Sequence, residues 1–102
     1  KGAEVNRVLP DGTTPLFVAC DAGHVDVARL LLDRGADVHR SNSDDTTPLH
    51  VACYAGHIEI VQLLLNNGAT ADLDRKDGDG TPQANAESQG HAAVVDLLSQ
   101  YT

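Results

Sequence analysis

Two cysteine–histidine pairs are the first residues in this chain that could do chemistry. Three residues separate Cys20 from His24, and the same spacing separates Cys53 from His57. A thiol and an imidazole this close could ligate zinc, or could act as a nucleophile and its base. The stretch between the two pairs, residues 25–52, is longer than the spacing in compact zinc motifs. Because the same pair occurs twice at matching places, we expect both pairs to have a structural role.

The aspartate-rich segment 72–80, DLDRKDGDG, is the other candidate for chemistry. An EF-hand calcium loop that began at Asp72 would need an oxygen ligand at Lys76, a glycine at Asp77 and a glutamate at Gln83. The segment fails all three requirements, so we expect a solvated turn. The sequence also has no phosphate-binding glycine loop and no serine nucleophile elbow. We therefore predict a protein that is not an enzyme and that uses no metal or cofactor.

The elements that must position these residues are repeated along the chain. Residues 14–36 read TPLFVACDAGHVDVARLLLDRGA and residues 47–69 read TPLHVACYAGHIEIVQLLLNNGA. Pro15 and Pro48 mark the same place in the two copies, and a weaker third copy begins at Thr81. Self-similarity at such a period is typical of proteins built from stacked units.

Each unit is predicted to contain two short helices. Thr47 can cap a helix that begins at Pro48, and Gly56 can end it in a left-handed conformation. The residues that follow, 57–66, place apolar side chains on one broad face of a second helix. Two helices this short cannot bury that face alone, so the units must stack. By the same pattern the other predicted helices are Pro15–Ala22, Val25–Arg34 and Ala92–Gln100.

The second copy resembles an ankyrin repeat, a family whose units begin T-P-L-H-x-A, carry a central G-H and close with L-L-x-x-G-A. The matching residues are Thr47, Pro48, Leu49, His50, Ala52, Gly56, His57, Leu64, Leu65, Gly68 and Ala69. The resemblance implies an all-α solenoid of stacked antiparallel helix pairs linked by β-turn fingers. It also implies that His50 ties its own repeat together, and that His24, His57 and His91 link successive loops.

The resemblance also implies that the whole chain, 1–102, is one ankyrin-repeat domain. Its parts are the tail of a preceding repeat (1–9), a first unit (10–42), a second unit (43–75) and a C-terminal capping unit (76–102). Because the chain starts with what resembles a repeat tail, we expect it to come from a longer array. The third unit has Gln83, Asn85 and Glu87 where the second has apolar residues, and we expect these polar side chains to be exposed because no further unit covers them. The alternative is a damaged internal repeat of a longer protein.

Composition and the placement of the cysteines indicate the cellular compartment of the protein and the charge of its partner. Acidic residues outnumber basic ones by 15 to 7, for a net charge of −8, which argues against binding nucleic acid or an anionic membrane and favours a basic partner. Stacked helices lie about 8–10 Å apart, whereas a disulfide needs alpha carbons within about 7 Å. Cys20 and Cys53 are therefore predicted to be buried free thiols, typical of a reducing, cytoplasmic protein.

The resemblance also implies where a partner would bind, since ankyrin repeats usually contact partners through finger tips and the exposed ends of first helices. The corresponding residues are Asp11, Thr13, Asp21, Ser43, Asp44, Thr46, Tyr54, Asp77, Asp79 and Ser88, with Pro10, Ala22, Ala55 and Gln89 beside them. Tyr54 is the single aromatic residue among them and the best candidate for a binding hot spot. Phe17 stands where the second unit has His50, and we expect it to serve packing.

The interpretation we favour is a monomeric, non-catalytic protein–protein interaction module that binds through its concave face and finger tips. Three alternatives stay open. The array could be a regulatory or targeting segment of a larger enzyme or channel, or a spacer between other domains. The acidic face could also serve solubility alone.

Overall fold

The computed structural model describes residues 5–101. Residues 1–4, which make up part of the predicted repeat tail, and Thr102 lie outside the described range. Within it the chain forms six α-helices in three consecutive pairs. The helices are α1 Pro15–Ala22, α2 Val25–Asp33, α3 Pro48–Ala55, α4 Ile58–Asn66, α5 Pro82–Ser88 and α6 Ala92–Ser99, and a 3₁₀ helix spans Ala69–Asp72.

The helix starts follow from a Thr-Pro dipeptide in every unit. The hydroxyls of Thr14, Thr47 and Thr81 each accept a hydrogen bond from a backbone N–H of the first turn, and proline follows as the first helical residue. This arrangement satisfies an amide that would otherwise lack a partner. The predicted helix bounds are confirmed to within one residue at each end.

The three pairs stack as the repeat pattern predicted. Helix α3 packs between α1 and α5, while α4 packs between α2 and α6. The core runs through the whole stack and is built from small and branched apolar side chains, among them Ala52, Ile60 and Leu64, which have no exposed surface. No helix in the range 5–101 is long and apolar enough to cross a membrane.

Histidines tie neighbouring units together, as the resemblance implied. Within its own unit, His50 accepts a hydrogen bond from the Thr47 backbone at Nδ1 (3.1 Å) and donates from Nε2 to the carbonyl oxygen of Arg75 at the end of that unit (2.9 Å). His57 donates back to the carbonyl oxygen of Asp21 (3.1 Å), and His91 donates to that of Tyr54 (3.0 Å). The second and third units are therefore each anchored to the unit before them at the same place.

The expectation that all polar replacements in the third unit are exposed was wrong for Asn85. At this position of the three units, Val18 is 51% exposed, Val51 9% and Asn85 only 1%. The side-chain amide of Asn85 donates hydrogen bonds to the carboxylate of Asp77 and to the carbonyl oxygens of Gly80 and Thr81, all in its own unit. Glu87 is exposed as expected. Whether residues 76–102 act as a cap stays a prediction.

The expectation of a solvated turn at 72–80 was wrong for Asp72, which is buried. Its carboxylate accepts hydrogen bonds from Nδ1 of His39 (2.8 Å) and from Nη1 of Arg75 (3.1 Å), and the same Arg75 nitrogen donates to the carbonyl oxygen of His39 (2.8 Å). A buried carboxylate needs such partners to offset its lost hydration. The cluster joins two successive fingers.

Candidate functional site

An open cleft of about 300 Å³ crosses all three units. We refer to it as the three-unit cleft. The first helices and the fingers supply its walls, and its lining residues are Phe17, Asp21, Thr46, Val51, Tyr54, Asp77, Asp79 and Asn85. The stacking of units therefore creates this site, because no single unit contains more than three of its side chains.

The apolar part of the three-unit cleft comes from Phe17, Val51 and Tyr54. Phe17 is half-buried against the core, Val51 is buried, and Tyr54 keeps 43% of its surface exposed. The hydroxyl of Tyr54 has no hydrogen-bond partner among residues 5–101. Phe17 therefore contributes to packing, as expected, and to the cleft as well.

The acidic part comes from three aspartates on two units. Asp21 and Asp79 are exposed, and no group in the described part of the chain donates a hydrogen bond to either carboxylate. The described residues that line the cleft include no lysine, arginine or histidine. Two of the three carboxylates are thus exposed, with neither a hydrogen bond nor an ion-pair partner among residues 5–101.

The third carboxylate, Asp77, is held in place. It accepts hydrogen bonds from the hydroxyl of Thr46 (2.9 Å), the amide of Asn85 (3.1 Å) and the backbone of Asp79 (3.0 Å). Partial burial is the largest influence and raises the pKa of Asp77, but these hydrogen bonds together outweigh it and lower the pKa below its ordinary value of 3.8. The buried amide of Asn85 thus orients an ionised group at the cleft.

This network predicts a pH-dependent effect of Asp77→Asn. A carboxylate whose pKa is lower in the folded chain stabilises the fold above its ordinary pKa, and loses that contribution as the pH falls through the lower value. We expect the variant to lose about 1 kcal/mol of unfolding free energy at pH 7. The difference from the parent protein should shrink below about pH 4. Urea unfolding at several pH values measures it, with Asp79→Asn as a control that lacks these bonds.

The histidine ties also position the cleft. The two carbonyl groups that accept from His57 and His91 belong to Asp21 and Tyr54, which are both cleft residues. These residues lie near the ends of α1 and α3, where a helix would otherwise fray. The contacts that stack the units therefore also fix the backbone beneath two side chains of the site.

Of the ten predicted binding residues, the structure brings five together in the three-unit cleft. They are Asp21, Thr46, Tyr54, Asp77 and Asp79. The other five lie outside its lining: Asp11, Thr13, Ser43, Asp44 and Ser88. The pKa of Asp11 is lowered by hydrogen bonds from Thr13, whose backbone N–H lies 3.0 Å from the carboxylate.

Sequence reasoning missed Phe17, Val51 and Asn85 as cleft residues. Phe17 was assigned to packing, and that assignment is correct in part because its side chain packs against the core. A signal was available at Phe17, because a large aromatic residue replaces a histidine that ties the repeat together. Nothing in the sequence alone distinguishes the buried Asn85 from the exposed polar residues of its helix.

The structural role expected of the cysteine–histidine pairs is confirmed for the two buried thiols and for His57, whereas His24 is exposed and its predicted link between loops stays a prediction. Cys20 and Cys53 are buried free thiols. Burial, aided at Cys20 by the charge of Asp21, raises the pKa of each thiol to about 12. In the described part of the chain no cluster of three or more His, Cys, Asp or Glu side chains could hold a metal ion.

Both thiols should resist modification in the folded protein. The thiolate is the reactive form, and at pH 8 a group with a pKa of about 12 is almost entirely protonated. We expect a thiol reagent to label neither cysteine until denaturant is added, and then to label both. Labelling of either residue at the rate of a free peptide thiol under native conditions would restore nucleophilic catalysis as a possibility.

Comparison with known proteins agrees with the geometry. A family model described as ankyrin repeats, in three copies, matches residues 1–77. A search of curated proteins found no match.

Proposed function

Because this chain belongs to the ankyrin-repeat family, whose members generally mediate protein–protein interaction, we propose that it binds a partner protein through the three-unit cleft and the adjoining finger tips. The module acts by binding and carries out no reaction of its own. The partner presents a basic surface, and the module binds it as a monomer in a reducing, cytoplasmic compartment. Nucleic acid and anionic membranes are not its targets.

The observation that carries this proposal is the combination of exposed Tyr54 with uncompensated carboxylates in one cleft. The hydroxyl of Tyr54 makes no hydrogen bond within residues 5–101 and nearly half of the residue is exposed, so a partner that covers it can bury apolar surface and form a hydrogen bond with it. Asp21 and Asp79 add negative potential to the same site, and electrostatic complementarity steers a basic partner to it.

Replacing Tyr54 by alanine tests the proposal. The side chain is exposed and outside the core, so we expect the melting temperature to change little while partner binding weakens about tenfold or more. Affinity capture from cell lysate, followed by mass spectrometry, measures the effect. Tyr101→Ala is the matched control, because Tyr101 is also exposed, at 39%, but does not line the cleft.

Two results would contradict the proposal. One is that the Tyr54→Ala and Tyr101→Ala variants retain the same proteins in the same amounts. The other is that binding to the Tyr54→Ala variant falls only in proportion to a loss of folded protein. The complex should also weaken as ionic strength rises, since part of its affinity comes from exposed charges.

A further inference from the structure

We propose that the three-unit cleft binds an arginine side chain of the partner. This inference rests on the proposed function and identifies the group that the cleft recognises. The apolar surface of Phe17, Val51 and Tyr54 is too small and too open for a large cofactor, and it lies among carboxylates. A ligand that fits must offer apolar or flat surface and positive charge within one side chain.

The charges in the cleft favour a cation strongly. Its lining holds three carboxylates and no basic residue in the described part of the chain. Asp77 already accepts three of the about four hydrogen bonds that a carboxylate can accept, so Asp21 and Asp79 have the most open acceptor sites. They belong to the first and third units, so they place negative charge along the length of the cleft.

Arginine meets these requirements better than lysine. The guanidinium group is planar and carries five N–H donors in a fixed fork, so it can stack on an aromatic ring while it donates to carboxylates in its plane. Tyr54 is the exposed aromatic ring in the cleft, and its face can also attract the positive charge. An ammonium group is a compact charge that cannot lie flat on the ring.

The test uses three capped tripeptides with glycine on either side of arginine, lysine or citrulline. Citrulline keeps the shape of arginine and removes its charge. Nuclear magnetic resonance of the labelled protein follows the side-chain amide of Asn85 and the backbone amides of Tyr54 and Asp79. We expect the arginine peptide to shift these signals at millimolar concentration, the lysine peptide to bind about threefold more weakly, and the citrulline peptide about tenfold more weakly.

Matched variants show whether the binding depends on the cleft. Tyr54→Ala and Asp79→Asn should each weaken the arginine peptide about two- to fivefold. Asp33→Asn removes the same charge from an exposed residue of α2 that does not line the cleft, and should leave binding unchanged. Circular dichroism of the three variants checks that each of them folds.

The inference is overturned if citrulline or lysine binds as tightly as arginine. It is also overturned if the cleft signals do not shift, or if Asp33→Asn weakens binding as much as Asp79→Asn. These results are separable from a failure of the proposed function. Suppose that Tyr54→Ala abolishes binding of a partner protein, while the arginine peptide does not shift the cleft signals. The proposed protein-binding function would then stand, and the proposed recognition of arginine would be wrong.

Discussion

Replacing Gly56 by alanine is expected to lower the unfolding free energy by about 2–4 kcal/mol. Gly56 ends α3 with φ +79°, a conformation that costs an L-residue energy. A Cβ atom there would lie 2.6 Å from the imidazole ring of His91. The ring would have to move, and its hydrogen bond to the carbonyl oxygen of Tyr54 would be lost. The variant therefore combines backbone strain with the loss of a contact between units.

Gly90 provides a matched control for this substitution. It occupies the same place in the third unit with φ +73°, but among the described residues, its two chain neighbours aside, no atom lies within 4 Å of where its Cβ would be. Gly90→Ala carries the backbone strain alone, and we expect a loss of about 1 kcal/mol. Urea unfolding of both variants separates the two effects. Equal losses would show that the imidazole contact contributes nothing to the stability of the stack.

Replacing Leu64 by alanine is expected to cost about 3 kcal/mol. Leu64 has no exposed surface and lies at the centre of the core, on a helix packed between α2 and α6. Removing its branched end leaves a cavity that helices on both sides would have to close. Since three units share one core, we expect the variant to unfold in a single transition at a lower urea concentration or a lower temperature than the parent protein.

Leu30→Ala is the control for the Leu64 variant. Leu30 belongs to the second helix of the first unit and is 51% exposed. The same change in side-chain volume should therefore cost less than about 1 kcal/mol. Urea or thermal unfolding measures both variants. A loss at Leu30 as large as that at Leu64 would contradict the stacked core described above.

The helices were predictable because their signals are local. A threonine followed by proline begins each first helix, and a left-handed glycine ends the first helices of the first two units. The stacking followed from the same residues, since helices of eight or nine residues leave too much apolar surface uncovered alone. Repetition of the pattern then predicted the order of contacts along the stack.

The fingers were less predictable because their contacts join residues one repeat apart. The segment at 72–80 contains enough charge to suggest a solvated turn, yet His39 and Arg75 bury the carboxylate of Asp72. Thr46 likewise donates to Asp77 in the following finger. These contacts depend on how far each finger is displaced from the next, which a repeat pattern does not specify.

The candidate site was only partly predictable, because contacts between units bring some of its residues together. Tyr54 and Asp21 follow from their positions near the ends of first helices, which the resemblance marks as surface for partners. Phe17 and Asn85 enter the three-unit cleft only because neighbouring units place them beside those residues. A list of variable surface positions therefore found the charged part of the cleft and missed most of its apolar surface.

The claim that the partner docks in the three-unit cleft can be measured directly by photo-cross-linking. Benzoylphenylalanine is placed at position 54 in one variant and at position 101 in another, and both are irradiated with lysate and analysed by mass spectrometry. We expect an adduct from position 54 alone, attached to a basic, arginine-bearing segment of one protein. Adducts from position 101 alone, or equal yields from both positions, would contradict the account.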